Sequence, residues 1–488
     1  MSEGLAGLLA AGGDAAGDER RLVAGLAAQM EARLRERAGA DLDALGAGGP
    51  DSAALAGIRR HYLAVAWELL GAHIGDQRRI WRATRRGGWA PSAEGEFASH
   101  MANGGWHSLI ARLPGLEPRV LAIADLEVEA AAALLRRAAS DTAAIGERFA
   151  GGGDPGPLTG LELGLSDPHN GRRTVASVRF ETAGLVIHKP RPVAMEAGFA
   201  AIAAWLLDRG LADPPAAVGV LVRDGYGWCE FVATAPCARA GEVGEYFRRL
   251  GALTAVLAAL AATDCHAENF IARGAEPVLV DAETLLHPRT TASPELTATE
   301  TEILPSRVRG PAGQQIDYAG FDAGPPGGPR PQLPAWDGAA HRLADNRPSF
   351  DASFEDARRA LAGLGAELAS PEGPLAALGG ERSRAVLRPT SFYGALLGHL
   401  GSASSLAAED GGLGRVRLEL ERYRDPALDD SAWDAVQRAE LAAFSLGDVP
   451  YFMVGVASGD LSSADGTMLA KGALEPVIAR VPAAAPLS

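Results

Sequence analysis

Lysine is almost missing from this 488-residue chain: of 46 lysines and arginines, only Lys189 and Lys471 are lysines. The charge balance runs the other way, with 61 acidic residues and a formal net charge of −15. A general nucleic-acid or membrane-surface binder carries a basic footprint, so neither kind of partner is expected. Cysteine is nearly as scarce. Cys229, Cys237 and Cys265 form no CxxC pair and no Cys/His set with zinc spacing, so no zinc is expected and a reducing, cytoplasmic setting is. Also missing is an uninterrupted apolar run of about 18 residues, which excludes a membrane-spanning helix. The N-terminal segment has no basic stretch ahead of its short apolar run, which argues against a secretory signal. What is present is a 47% hydrophobic chain, long enough for two or three domains with real cores.

The patterning changes along the chain. Residues 1–150 place apolar side chains three and four apart, as in RRLVAGLAAQMEARLRER and LEVEAAAALLRRAASDTAAIGERFA, and are expected to form a helical N-terminal domain. GGGDPGPLTG at 151–160 is a Gly/Pro break. TVASVRF and LVIHKP then read as a hairpin around ETAG, followed by a helix at AMEAGFAAIAAWLLDRG and strands at AVGVLVRD and GWCEFVA. A strongly apolar helix, EYFRRLGALTAVLAALAAT, leads into TDCHAENF, and FIAR and PVLVDAE flank a GAE turn as a second hairpin. Residues 305–350 are rich in Gly and Pro and read as a long loop or flap, after which helical patterns return.

Strand, lysine, helix, strands, helix and TDCHAENF follow one another in the order of a two-lobed kinase. Asp264 and Asn269 are five apart, like the catalytic-loop pair of H-R-D-x-x-x-x-N, and Asp281 follows Asn269 by twelve at the end of PVLV. Phosphoryl transfer needs charge cancellation on a triphosphate and an oriented hydroxyl. Lys189 would contact the α/β-phosphates, Asn269 and Asp281 would hold Mg²⁺ through oxygen donors, and Asp264 would orient or deprotonate the hydroxyl. A compact ammonium fits between phosphate oxygens where a planar guanidinium does not. The bland reading is that Lys189 is a chance survivor on a strand end. SDPHNGRRT at 166–174 stands where a phosphate-covering loop belongs, yet it carries Asp167, His169, Arg172 and Arg173. It is either a polar turn or a site of further proton chemistry. RSRAVLRPTSFYGALL supplies Arg384, Arg388 and Thr390, and is otherwise an ordinary strand-to-helix entry.

Taken in order, SDPHNGRRT, VIHKPR, GYGWCEFV, TDCHAENFIARGAEPVLVDAETLLHP, RAVLRPTSFY and GDVPYF resemble the dehydratase domain of class II lanthipeptide synthetases, the LanM type. The resemblance runs from about residue 105 to 455 and is strongest at 164–290. It implies an α+β, lipid-kinase-like two-lobed core with helical elaborations at both ends: a helical domain at 1–150, an N-lobe at 151–240, and a C-lobe at 241–488 that includes the 305–350 flap and a helical C-terminal region. It implies an enzyme that uses ATP and Mg²⁺ to phosphorylate Ser and Thr of a ribosomal precursor peptide, leader plus core, and then expels phosphate to leave dehydroalanine or dehydrobutyrine. By resemblance Lys189, Asp264, His266, Asn269 and Asp281 serve phosphorylation. Asp167, His169, Arg384 and Thr390 serve elimination, with Glu283 in the same active site. A full LanM enzyme continues into a zinc cyclase, for which three scattered cysteines supply no ligand set. The expectation is therefore a stand-alone dehydratase, with ring closure by a separate protein or none.

Two rivals remain at this level. One is a small-molecule or peptide phosphotransferase without elimination; the other is a nucleotide-binding partner subunit without turnover. The eliminating set disfavours the first, and the presence of Lys189, Asp264, Asn269 and Asp281 disfavours the second. Lys189→Arg, which conserves charge, is expected to damage turnover severely; near-normal turnover in a steady-state assay would make the lysine a chance survivor.

Overall fold

Three- and four-residue apolar spacing becomes long helices in the computed structural model, which describes residues 4–10, 19–84, 93–290, 298–309, 315–318, 320–323, 330–478 and 481. The chain divides into two compact units. One comprises Met1–Pro190, Pro389–Arg422 and Ala439–Pro450; the other comprises Arg191–Arg388, Tyr423–Arg438 and Tyr451–Ser488.

In the first unit the long helices are Ala24–Ala44, Ala53–Ala83 and Leu116–Phe149. Leu116–Phe149 buries Val120, Ile123, Ala124, Val128, Ala131, Leu135 and Ala138 along one stripe, while Glu129 and Arg136 pair on its outer face. It ends where Gly151 and Gly152 adopt φ of 66° and 90°, left-handed values that glycine takes without strain. Strand Leu158–Glu162 pairs antiparallel with Ala176–Phe180, which pairs in turn with Gly184–Lys189. The hairpin expected around ETAG is present, with Phe180 opposite Gly184 and Ala176 opposite His188. Later segments return to this unit and close a small core of Tyr393, Leu396, Leu400, Val416, Leu420, Phe444 and Val449. The Tyr393 hydroxyl donates to buried Glu440 at 2.8 Å.

The second unit is organised by the helix Gly241–Ala259, whose residues are buried almost throughout. Phe247, Leu250, Leu253 and Leu257 pack in one core with Phe270, Phe321, Phe350 and Leu361. Around it stand the helices Ala194–Asp208 and Arg347–Leu368 and two hairpins, Val220–Arg223 with Tyr226–Glu230 and Phe270–Arg273 with Glu276–Leu279. Both hairpins fall where strand patterning places them. Past residue 351 the helical expectation is incomplete. Arg382–Ala385, Phe452–Gly455, Leu461–Ser463 and Met468–Ala470 form a four-stranded antiparallel sheet. Strands of three or four residues are too short to leave a clear alternation.

Parts of the expected flap, residues 310–314, 319 and 324–329, lie outside the described residues. The described remainder contains paired strands Ser306–Arg309 and Gln315–Tyr318 and the two-residue pair Ala335–Trp336 with Ala339–Ala340. Residues 479–480 and 482–488 lie outside the described residues, as do 1–3 and 11–18 of the N-terminal segment. Among the described residues no helix is long and apolar enough to cross a membrane.

Gly251 sits where Gly241–Ala259 meets Arg347–Leu368. A Cβ there would overlap the Phe350 carbonyl and lie 3.1 Å from the Phe354 nitrogen, so backbone rather than a movable side chain would have to yield. Gly251→Ala is expected to destabilise the protein by about 1–3 kcal/mol, read as a lowered midpoint in denaturant or thermal unfolding.

Candidate active site

The TDCHAENF segment leaves the Gly241–Ala259 helix as irregular backbone. Asp264 has φ of 55°, a left-handed conformation uncommon outside glycine but tolerated by aspartate, and one that concentrates at functional loops. Asn269 Nδ2 donates to the Asp264 carbonyl at 2.7 Å. The Asn269 carbonyl accepts from Val280 N at 2.9 Å, which ties the loop to the strand that delivers Asp281. His266 caps the turn Ala267–Asn269 by accepting from Glu268 N through Nδ1, and its Nε2 lies 3.5 Å from Asp264 Oδ1.

Asp281 and Glu283 are held by arginines. Arg191 Nη2 reaches Glu196 Oε1 at 2.8 Å and Asp281 Oδ1 at 2.6 Å, and its Nε reaches Glu283 Oε2 at 2.5 Å. The Glu283 amide donates to Asp281 Oδ1 at 3.2 Å. Arg384 grips Glu283 from strand Arg382–Ala385: its Nη1 lies 2.5 Å from Glu283 Oε1 and 3.8 Å from Asp264 Oδ2, and its backbone N donates to the Glu283 carbonyl at 2.9 Å. The Tyr451 hydroxyl donates to Glu283 Oε2 at 2.9 Å, and the Arg384 guanidinium lies 5.1 Å from the Tyr451 ring centroid. Four carboxylates thus surround two guanidinium groups, a local excess of two negative charges.

Exposure grades across this cluster. The Asp264 and Asp281 side chains are 28% and 24% exposed, whereas Arg191, Glu283 and Arg384 are 13%, 11% and 12% exposed. The loop aspartates are therefore the groups a ligand meets first. Burial raises the Asp264 pKa, against the lowering effect of Arg384 and His266. Burial works to lower the Arg191 pKa, but Asp281, Glu196 and Glu283 override it and hold the group well above the ordinary arginine value. Burial, followed by the Glu283 charge, pushes the Tyr451 hydroxyl well up, so it stays a donor. His287 accepts from Val386 N at 2.9 Å beside the Arg384 strand, and burial drives its pKa down to about 4.

Asp167, His169, Lys189 and Thr390 belong to the first unit and are described within it. His169 and Arg173 exchange backbone hydrogen bonds, both 3.0 Å, across a turn in which Asn170, Gly171 and Arg172 have φ of 48°, 83° and 63°. The turn is stapled by Asp448, which accepts from Gly171 N at 2.6 Å and Arg172 N at 2.8 Å. Buried Arg172 donates to Glu127 and to the Gly447 carbonyl, each at 2.8 Å. His169 Nδ1 lies 2.7 Å from the Val449 carbonyl. A carbonyl only accepts, so Nδ1 carries the proton and the neutral ring's lone pair is on Nε2, the form of a proton acceptor. Asp167 is exposed beside it, Lys189 is buried at the end of Gly184–Lys189, and Thr390 is the exposed first residue of helix Thr390–Leu400.

Asp264, His266, Asn269, Asp281, Glu283 and Arg384 are thus drawn together in the second unit. Sequence reasoning assigned no role to Arg191 or Tyr451, although VIHKPR and GDVPYF contain them. It also missed Glu302. Cys265 N donates to the Thr301 carbonyl at 3.1 Å, and the Glu302 carboxyl accepts from the Asp264 amide. Glu302 has φ of 64°. Burial, then the charges of Asp264 and Glu300, raise its pKa to about 7. Its only sequence signal is the acidic run ETE at 300–302.

For the site as a metal centre, the donor chemistry fits. Asp281 offers a carboxylate, and with its nitrogen committed to the Asp264 carbonyl, Asn269 presents an amide oxygen. Both are the hard oxygen donors that Mg²⁺ takes.

Residues 114–340 and 328–455 match the model of a family described as a domain of unknown function, DUF4135, and the matched span contains Asp167, His169, Arg191, Asp264, Asp281, Glu283, Arg384 and Tyr451. A stretch of 62 residues, 13% of this chain, is 39% identical to the lacticin 481/lactococcin biosynthesis protein LcnDR2 of Lactococcus lactis subsp. lactis. That stretch covers 7% of the relative's length.

The raised Glu302 pKa sets a pH dependence. Its carboxyl keeps its proton to about pH 7 when folded, against an ordinary value of 4.5. The unfolded chain therefore releases that proton first, and the stability this group contributes is present below about 4.5 and lost as pH rises through about 7. Glu302→Gln, which cannot ionise, is expected to gain on the wild type by on the order of 1 kcal/mol between pH 5 and 8, after discounting for partial exposure. Parallel stability curves in denaturant titrations across that range would refute this assignment.

Proposed function

From its membership of the DUF4135 family, to which this chain belongs, we propose that it is an enzyme of lanthipeptide biosynthesis that dehydrates Ser and Thr of a ribosomal precursor peptide, by ATP-dependent phosphorylation and phosphate elimination on a kinase-like core. One observation carries this reading: the Asp264/Asn269 loop and Asp281 share a cluster with the Glu283–Arg384 pair. A phosphotransferase needs the first set; a buried, preoriented guanidinium is what a departing phosphate needs. The relative's role in lacticin 481/lactococcin biosynthesis points the same way.

In the first half-reaction Asp264 accepts the proton of the substrate hydroxyl as its oxygen bonds to the γ-phosphorus and the bond to ADP breaks. The elevated pKa of Asp264 favours that acceptance. Lys189 supplies an ammonium for the α/β-phosphates. Mg²⁺, when bound, neutralises phosphate charge, and Asn269 and Asp281 are the residues to hold it. In the second half-reaction the Cα proton leaves to a base, the electron pair forms the Cα–Cβ double bond, and the Cβ–O bond breaks to release phosphate. His169 in its Nδ1–H form, with Asp167, is the acid/base pair, and Arg384 receives phosphate charge, with Thr390 as a further elimination residue. Glu283 fixes Arg384 by a bond to its guanidinium and one to its backbone.

The test is mass spectrometry of a precursor peptide after incubation with ATP and Mg²⁺. Each dehydrated site loses about 18 Da, whereas phosphorylation alone adds about 80 Da. Arg384→Ala or His169→Ala is expected to accumulate phosphopeptide, and Asp264→Ala to leave the peptide largely unmodified. Equal loss of both steps in all three variants would overturn the division of labour. Phosphate addition without dehydration by the wild type would return the protein to the phosphotransferases.

A further inference from the structure

The Arg191 guanidinium spans carboxylates from three places in the chain: Glu196 on the helix Ala194–Asp208, Asp281 after the strand Glu276–Leu279, and Glu283. Asp281 belongs to the proposed phosphorylation set, while Glu283 orients Arg384, the proposed phosphate clamp. The two bonds use different nitrogens, Nη2 for Asp281 and Nε for Glu283.

We infer that Arg191 is a positioning residue that couples the two half-reactions, holding the metal-binding carboxylate and the clamp-orienting carboxylate in one rigid frame and acting as a built-in cation against Asp281. The inference rests on the proposed function for its wording, but its geometry stands apart from it. With Arg191 in place the four carboxylates face two guanidinium groups; without it the excess negative charge grows from two to three. Removing the cation should therefore strengthen divalent-metal binding while misaligning the groups that do the chemistry. A group that merely supports the fold would weaken both when removed. Lysine in its place supplies one terminal ammonium. That ammonium can replace Nη2 between Glu196 and Asp281, but it has no equivalent of Nε, so the Glu283 bond is the one lost.

Arg191→Gln and Arg191→Lys test this with two readouts. In the first, Mn²⁺ binding is followed by electron paramagnetic resonance with a non-hydrolysable ATP analogue present throughout. Arg191→Gln is expected to bind Mn²⁺ about tenfold more tightly than the wild type, and Arg191→Lys within about twofold of it. In the second, peptide mass spectrometry is expected to show phosphopeptide accumulating with Arg191→Lys, because elimination lags phosphorylation. Weaker Mn²⁺ binding in Arg191→Gln, or an unchanged ratio of dehydrated to phosphorylated product in Arg191→Lys, overturns the inference. Should Arg191→Gln fail to fold, Arg191→Lys decides alone. If the wild type modifies no peptide, the proposed function fails and the Mn²⁺ comparison still judges Arg191; if the wild type binds no Mn²⁺, the inference falls while the peptide assay still judges the function.

Discussion

Burying an arginine among acids is an expensive way to hold a protein together, because each charge must leave water before the pairing returns anything. The second unit accepts that cost at Glu283, whose two oxygens are met by Arg191, Arg384 and Tyr451. Once these charges are buried, none of the partners can be removed without stranding another. That mutual dependence aligns the Asp264–Asn269 loop, the strand end carrying Asp281 and the sheet carrying Arg384. A hydrophobic contact of similar size would stabilise the fold as well but would fix no orientation.

The elements legible in the sequence are those with local causes. Helical periodicity over 116–149, the ETAG and GAE turns, and the five-residue interval from Asp264 to Asn269 are written within short windows. The same locality makes the position of DCHAEN between a helix and a hairpin readable from the sequence. Of the six expected site residues that meet in the second unit, Asp264, His266, Asn269, Asp281 and Glu283 are carried there by that helix–loop–hairpin order, while Arg384 arrives on the strand Arg382–Ala385.

What was not legible depends on partners far apart in the chain. Arg191 lies two residues beyond a conspicuous lysine, yet its role comes from acids up to 92 positions away, at Asp281 and Glu283. Tyr451 meets Glu283 across 168 positions. Glu302 carries no pattern beyond the acidic run ETE; its raised pKa comes from burial and then from the charges of Asp264 and Glu300. The C-terminal sheet escaped for a different reason, since its strands are too brief to show a two-residue rhythm.

The turn that carries His169 is anchored at Asp448 and Val449, some 280 positions downstream. During synthesis the ribosome releases the histidine long before the carboxylate and carbonyl that clamp it. A nascent chain therefore has no clamp on this histidine until residues 448 and 449 have emerged. The turn stays unclamped while the whole stretch between these partners is being made.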